Sequence, residues 1–149
     1  MLQHLIDTVE GIPKSKTSVI VGYKSNEVES GIYSSKKINF IKQKKQLGTA
    51  HAVKQALPYL RKNAISIILY GDAPLVAKNT LNKLIRSASK GDLCLLSFIK
   101  EDPTGYGRIM RGPRGSIKKI VEHKDATTQE RSIKEVNSGI MAVKSDLLQ

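Results

Sequence analysis

Apolar positions in this chain recur with two periods, and segments of the two kinds alternate along it. Leu2, Leu5, Ile6 and Val9 fall three and four apart, which predicts a helix over residues 2–10 closed by Gly11. Residues 17–22 (TSVIVG) and 38–43 (INFIKQ) are short apolar runs that read as strands, with a short helix over 26–30 between them. A small-residue loop from Gln46 to Ala52 leads into a helix through about Leu60. Ile65 to Asp72 is a continuous apolar strand that stops at Gly71-Asp72 and turns through Pro74. A strand apolar on both faces predicts a place in the middle of a parallel sheet, covered by helices above and below. Leu81, Leu84 and Ile85 share one face of a helix over 80–89, and 93–99 is a further strand. This order predicts an α/β layered sheet.

Beyond Ile99 the pattern changes. Residues 102–108 (DPTGYGR) form a turn-rich loop with glycines two apart. Strands over 108–110 and 116–123 flank a Gly-Pro-Arg-Gly turn and predict a β-hairpin. The charged cluster 122–126, a short helix over 127–133 and a strand over 135–143 follow, and Ser145-Asp146 begins another helix. There is no internal repeat, low-complexity tract or linker.

Composition narrows the class. The 149 residues suffice for one domain with a buried core, and 40% hydrophobic content with 11 glycines and 5 prolines argues against global disorder. No apolar run approaches the ~20 residues of a membrane span, and the N-terminus has no secretory pattern, so a cytoplasmic protein is the simplest reading. Cys94 lies in an apolar run and reads as a small hydrophobe. A net charge of +12 implies attraction to anions: nucleotides, sugar phosphates or nucleic acid. Lysines cluster at 36, 37, 42, 44 and 45, and basic residues recur at Arg108, Arg111, Arg114, Lys118 and Lys119. With 5% aromatics, no tryptophan and no nucleic-acid-binding signature, a solvated basic surface is the better default, and no nucleic-acid partner is expected.

Candidate chemistry gathers at the ends of the apolar strands, where open α/β sheets bind ligands. Asp72 taken alone reads first as a turn or capping residue, and second as a carboxylate delivered to that edge. Gly48 permits close backbone approach, and Thr49 could cap the following helix and leave its N–H groups for a ligand; an ordinary helix start is the commoner case. His51 reads as a packed or surface side chain rather than a base. Gly107 equally reads as a turn glycine, Glu122 as a surface carboxylate and Asn137 as a strand-edge side chain.

Five stretches in order, QLGTAHAV (46–53), LYGDAPL (69–75), DPTGYGRI (102–109), IVEHKDAT (120–127) and EVNSGIMA (135–142), resemble the uridylyltransferase domain of the bacterial bifunctional GlmU family. The resemblance covers essentially the whole chain. It implies a Rossmann-like, GT-A-like three-layer nucleotide-diphospho-sugar transferase fold, here truncated at both ends, with the family's β-helix acetyltransferase domain absent. The implied reaction transfers UMP from UTP to N-acetylglucosamine 1-phosphate, giving UDP-N-acetylglucosamine for peptidoglycan and lipopolysaccharide synthesis, with pyrophosphate leaving. It implies that Gln43, Gly48 and Thr49 hold uracil, that Tyr70 and Gly71 line the nucleotide, and that Asp72 coordinates the catalytic Mg2+. Gly107, Glu122 and Asn137 match the sugar site. The full-length family is a homotrimer with no membrane partner.

In the family a glycine-rich loop (LAAGxGTRM-like) and a lysine precede the first matching helix, and a second Mg2+ ligand follows the last matching stretch. These 149 residues contain neither segment. The expectation is therefore a fragment inactive or weakly active alone, in which the strands at 17–22 and 65–71 lose a shared neighbour. The alternatives are a non-catalytic UDP-sugar-binding fragment and a nucleotidyltransferase for another sugar phosphate.

Overall fold

A computed structural model describes residues 1–91 and 93–148. Helix α1 (Leu2–Glu10) leads to strand β1 (Thr17–Val21), helix α2 (Ser25–Ser30) and strand β2 (Ile38–Lys42). Helix α3 (Thr49–Ala56) runs into a 3-10 turn and strand β3 (Ile65–Ile68). Helix α4 (Lys78–Ala88), strand β4 (Cys94–Ile99), the hairpin β5 (Arg108–Arg111) and β6 (Ile117–Val121), helix α5 (Thr128–Arg131) and strand β7 (Glu135–Lys144) complete the order. The alternation is α/β, as the two periods require.

The strands divide into two sheets. β1 and β2 pair in parallel from Thr17↔Ile38 to Val21↔Lys42, and α3 packs on them. The other five strands are built around β7, the longest, which pairs with β3, β4 and β5. Ala142 is bracketed by Ile67 and Cys94, and Val136 by Phe98 and Arg108, so both edges of β7 are used.

β3 departs from its expected place. It spans only Ile65–Ile68, pairs antiparallel with β7, and is half-buried along its length. Its apolar run on both faces specifies burial but not the direction of the partner strand. Ile65, Ile67 and Leu69 face the core, while Ser66 on the other face reaches the Ser145 hydroxyl at 2.8 Å. Among the described residues, β1 and β3 each pair along one edge only.

The core lies where α4 covers the five-stranded sheet. Leu81 is completely buried, and with Leu84 and Ala88 it packs on Ile140 and Ala142, closed at one side by Ile12 behind α1. Each buried leucine or isoleucine contributes about 1.5–3 kcal/mol of burial. Cys94 lies half-buried against this cluster.

The basic residues take different roles. Lys36 is latched to α1, donating to the Glu10 and Ile12 carbonyls, whereas Lys42, Lys44 and Lys45 are exposed. Arg111 pairs with Glu135 and Lys119 with Glu130, whose carboxylate also closes a capping box with Thr127. The Thr127 N–H, the Lys119 ammonium and the Thr127 hydroxyl hold the Glu130 carboxyl at about 2, below its ordinary 4.5. Among the described residues, no helix is long and apolar enough to cross a membrane.

Candidate functional site

The candidate residues fall into two groups, one on each sheet. On the first, β2 ends at Lys42 and the next residue, Gln43, keeps the ladder going by donating its N–H to Val21 at 2.7 Å. Its side chain turns back over the loop: Nε2 lies 3.3 Å from the Gly48 carbonyl and 2.8 Å from His51 Nδ1. Both amide hydrogens are thereby used, and Oε1 remains as an acceptor. His51 is half-buried between Gln43 and Gln55, so its place is that of a prop for the Gln43 amide. The carboxyl ends of β1 and β2 border an open cleft of about 470 Å³, lined in part by Lys24, Lys42, Gln43, Lys44 and Gln46. Gly22 has no side chain to hinder Gln46, whose Nε2 lies 2.7 Å from where a Cβ would sit.

Gly48, not Thr49, occupies the N-cap of α3. With φ +89 it takes a conformation that L side chains rarely adopt, and no side chain caps the helix. The Thr49 hydroxyl is turned elsewhere, accepting a hydrogen bond from the Tyr70 hydroxyl at 3.3 Å. The first turn of α3 is therefore free of side-chain caps, and Gly48, Thr49 and Ala50 are exposed.

On the second sheet the hairpin and β7 bring three residues together that the sequence separates widely. Asn137 donates its N–H to the Gly107 carbonyl at 2.8 Å. Gly107 is buried, and a Cβ there would meet Ile120 Cγ2 at 3.0 Å and Glu122 Oε1 at 3.2 Å. Glu122 follows β6, and its carboxylate has no hydrogen bond or ion pair to a described residue; Asn137 is half-buried. The preceding loop is pinned, because the Thr104 hydroxyl and then its N–H hold the Asp102 carboxyl below its ordinary value.

The two groups meet at Tyr70. β7 bulges between Asn137 and Met141, opposite Leu95 and Ser97, and such irregularities commonly re-aim side chains beside a site. Within the bulge Gly139 has φ +78, and its N–H donates to Asn137 Oδ1 at 3.0 Å. A Cβ on Gly139 would lie 2.5 Å from the Tyr70 ring. Only glycine admits that ring, which reaches from β7 to Thr49 on α3. The sequence reading passed over Gly139 as well as the His51 contact; an isolated glycine inside a strand pattern was the available signal.

Asp72 stands exposed within a turn closed by the Ala73 N–H donating to the Tyr70 carbonyl at 3.1 Å, with exposed Gly71 beside it. Its carboxylate makes no hydrogen bond or ion pair with a described residue. No group of three or more His, Cys, Asp or Glu that could hold a metal occurs among the described residues. A single free carboxylate fits Mg2+ where phosphate oxygens and water supply the remaining ligands.

An α/β fold with polar groups gathered at its strand ends is the architecture of enzymes that handle nucleotides, and the nucleotidyl transferase family model matches residues 1–149. The chain belongs to that family. It is 49% identical to the bifunctional protein GlmU of Ruthia magnifica subsp. Calyptogena magnifica, over all of this chain and 32% of that protein. The corresponding protein of Cellvibrio japonicus is 44% identical, over all of this chain and 33% of that protein. The chain thus spans about a third of the length of the curated relatives it matches. Among solved structures, HddC from Yersinia pseudotuberculosis superposes with a TM-score of 0.72 at 21% identity, covering 99% of this chain and 62% of HddC. UDP-glucose pyrophosphorylase complexed with UDP-glucose gives 0.74 at 14% identity, covering 99% and 65%. At those identities the likeness is one of fold.

Proposed function

We propose that this chain carries the uridine-nucleotide and sugar-phosphate site of a uridylyltransferase that moves UMP from UTP to N-acetylglucosamine 1-phosphate, yielding UDP-N-acetylglucosamine and pyrophosphate. The observation that carries this reading is the position of Tyr70, in contact with Thr49 on one side and Gly139, two residues from Asn137, on the other. The similarity to proteins named bifunctional GlmU supports the choice of substrates.

The chemistry of each group suits its role. Gln43 has Oε1 left as an acceptor, which matches the N3–H of uracil; cytosine offers no hydrogen there. The uncapped start of α3 at Gly48 and Thr49 supplies N–H donors for the base carbonyls. Asn137 has Oδ1 engaged by Gly139 and so presents its NH2 group, a donor for the N-acetyl carbonyl or a sugar oxygen. Glu122 and the Gly107 backbone read sugar hydroxyls. Tyr70 and Gly71 line the nucleotide between the two sides. Asp72 holds Mg2+, which when bound supplies charge neutralisation at the phosphate oxygens. The sugar-phosphate oxygen attacks the α-phosphorus of UTP in line, the bond to the β-phosphate oxygen breaks, and pyrophosphate leaves. Positioning by this chain's groups brings the reacting atoms into line.

Calorimetry with a panel of nucleotide sugars, with and without Mg2+, tests the reading. UDP-N-acetylglucosamine is expected to bind in preference to ADP-, GDP- and CDP-linked sugars, more tightly with Mg2+. Asp72→Asn is expected to remove the Mg2+ enhancement while leaving the thermal midpoint unchanged, since the carboxylate supports nothing in the fold. Loss of the uridine preference would overturn the base assignment, and a retained Mg2+ enhancement in Asp72→Asn would overturn the metal assignment.

A further inference from the structure

Among the described residues, Arg108 is the charged side chain that burial should least permit. It is 1% exposed, and no carboxylate among the described residues pairs with it. Its guanidinium is met only by neutral acceptors. Nη1 donates to the Tyr106 carbonyl, and Nη2 lies 3.2 Å from His123 Nδ1 and 3.4 Å from the Arg131 carbonyl. Nε is buried without a partner. A guanidinium has donors only, so His123 must offer Nδ1 as an acceptor and carry its proton on Nε2. Keeping a cation in such a place, where an apolar residue would pack without these demands, calls for a role beyond packing.

The positions of the three acceptors suggest that role. Tyr106 belongs to the loop that ends in Gly107, and its ring is itself fixed edge-on to Phe98 at 5.5 Å between centroids. His123 follows Glu122 directly. Arg131 ends α5, which hands the chain on to β7. The Arg108 backbone completes the pattern, pairing with Val121 on β6 and Val136 on β7, the residues before Glu122 and Asn137. The fork neighbours Gly107 and Glu122, and the Arg108 backbone neighbours Asn137, so one residue adjoins every position assigned to the sugar.

We propose that Arg108 is a positioning residue that clamps the 102–107 loop, the end of β6 and the end of α5 together, setting Gly107, Glu122 and Asn137 in register for the sugar half of the ligand. The ligand part of this inference rests on the function proposed above; the clamp itself does not. Lysine cannot replace the fork, because its ammonium is a point donor without planar reach.

Two readouts on Arg108→Met and Arg108→Lys test the inference. The first needs no ligand: NMR of the His123 ring and amide exchange across residues 105–107 and 122–124. The wild-type ring is expected to be the Nε2–H tautomer with Nδ1 accepting. Both variants are expected to lose that signature and to exchange faster in those two segments than elsewhere in the chain. The second is the affinity for UDP-N-acetylglucosamine against UDP. The sugar nucleotide is expected to weaken on the order of tenfold, the scale of a lost hydrogen-bonding alignment, with UDP unchanged. Should Arg108→Met not fold, His123→Leu removes the acceptor from the other end of the same contact, with the same local exchange expected. Unchanged local exchange and tautomer in the folded variants, or equal weakening of UDP and UDP-sugar, would overturn the clamp. If the wild-type chain bound neither nucleotide, the proposed function would fail while the NMR readout still decided the clamp.

Discussion

The proposed base side and the proposed sugar side of this site are built to different standards. Gln43, Gly48 and Thr49 sit on or after a two-stranded sheet, on loops and a helix start open to solvent, held by side-chain hydrogen bonds such as Gln43 to His51. Gly107 and Glu122 flank the open end of a hairpin and Asn137 sits on a central strand paired along both edges, with Gly107 buried and Arg108 locked behind it. Segments with few buried contacts open at lower free energy than paired core strands. On the proposed assignment the sugar side is therefore the more rigidly held of the two. Tyr70 and Gly139 join them.

The junction is where substitution should cost most. Gly139→Ala must place a side chain at φ +78 with its Cβ 2.5 Å from the Tyr70 ring. Left-handed strain and overpacking together predict a loss of about 2–4 kcal/mol, read by urea denaturation, with UDP and UDP-sugar binding both weakened. A loss confined to one ligand would mean that Tyr70 does not couple the sides.

Gly107→Ala is expected to act on the sugar side alone. Its Cβ would press on Ile120 Cγ2 at 3.0 Å, costing about 1 kcal/mol, and push aside the free Glu122 carboxylate, whose Oε1 lies 3.2 Å away. UDP-N-acetylglucosamine should weaken relative to UDP. Gln43→Ala gives the reverse pattern. Thermal stability should fall by less than about 1 kcal/mol, the worth of exposed hydrogen bonds, while UDP and UDP-sugar weaken together. Equal stability losses for the two variants would erase the contrast between the sides.

The smallest effect lies outside the site. The Glu130 carboxyl is held at about 2 when folded against an ordinary 4.5, so its contribution to stability is present above 4.5 and is lost as pH falls toward 2. Glu130→Gln should lower the thermal midpoint slightly near neutral pH, with the difference from wild type vanishing toward pH 2. A difference independent of pH would show that the capping box does not depend on the carboxylate charge.

Much of the fold was legible in periodicity. Leu2, Leu5, Ile6 and Val9 marked α1, and Leu81 with Leu84 marked the face of α4 that enters the core. The β5–β6 hairpin followed from its glycine and proline turn. The partnering of β3 was not legible, because an apolar run on both faces fits a parallel or an antiparallel neighbour. Arg108 read as one more basic residue, since nothing local distinguishes a buried arginine held by neutral acceptors from a solvated one. The helix start at Gly48-Thr49 was legible, but the Thr49 hydroxyl serves Tyr70 rather than a cap, a tertiary contact that local rules do not contain. Five short motifs carried the family resemblance; how Tyr70 bridges them required the bulge in β7.

The account's central claim is that two unlike sides form one site around a single ligand. Chemical-shift mapping during a titration with UDP-N-acetylglucosamine and Mg2+ tests it most directly. The account predicts that the amides of Gly48, Thr49 and Tyr70 and those of Gly107, Asn137 and Gly139 shift together, along curves with one dissociation constant. Shifts confined to one side, or two sets of curves with different constants, would contradict it.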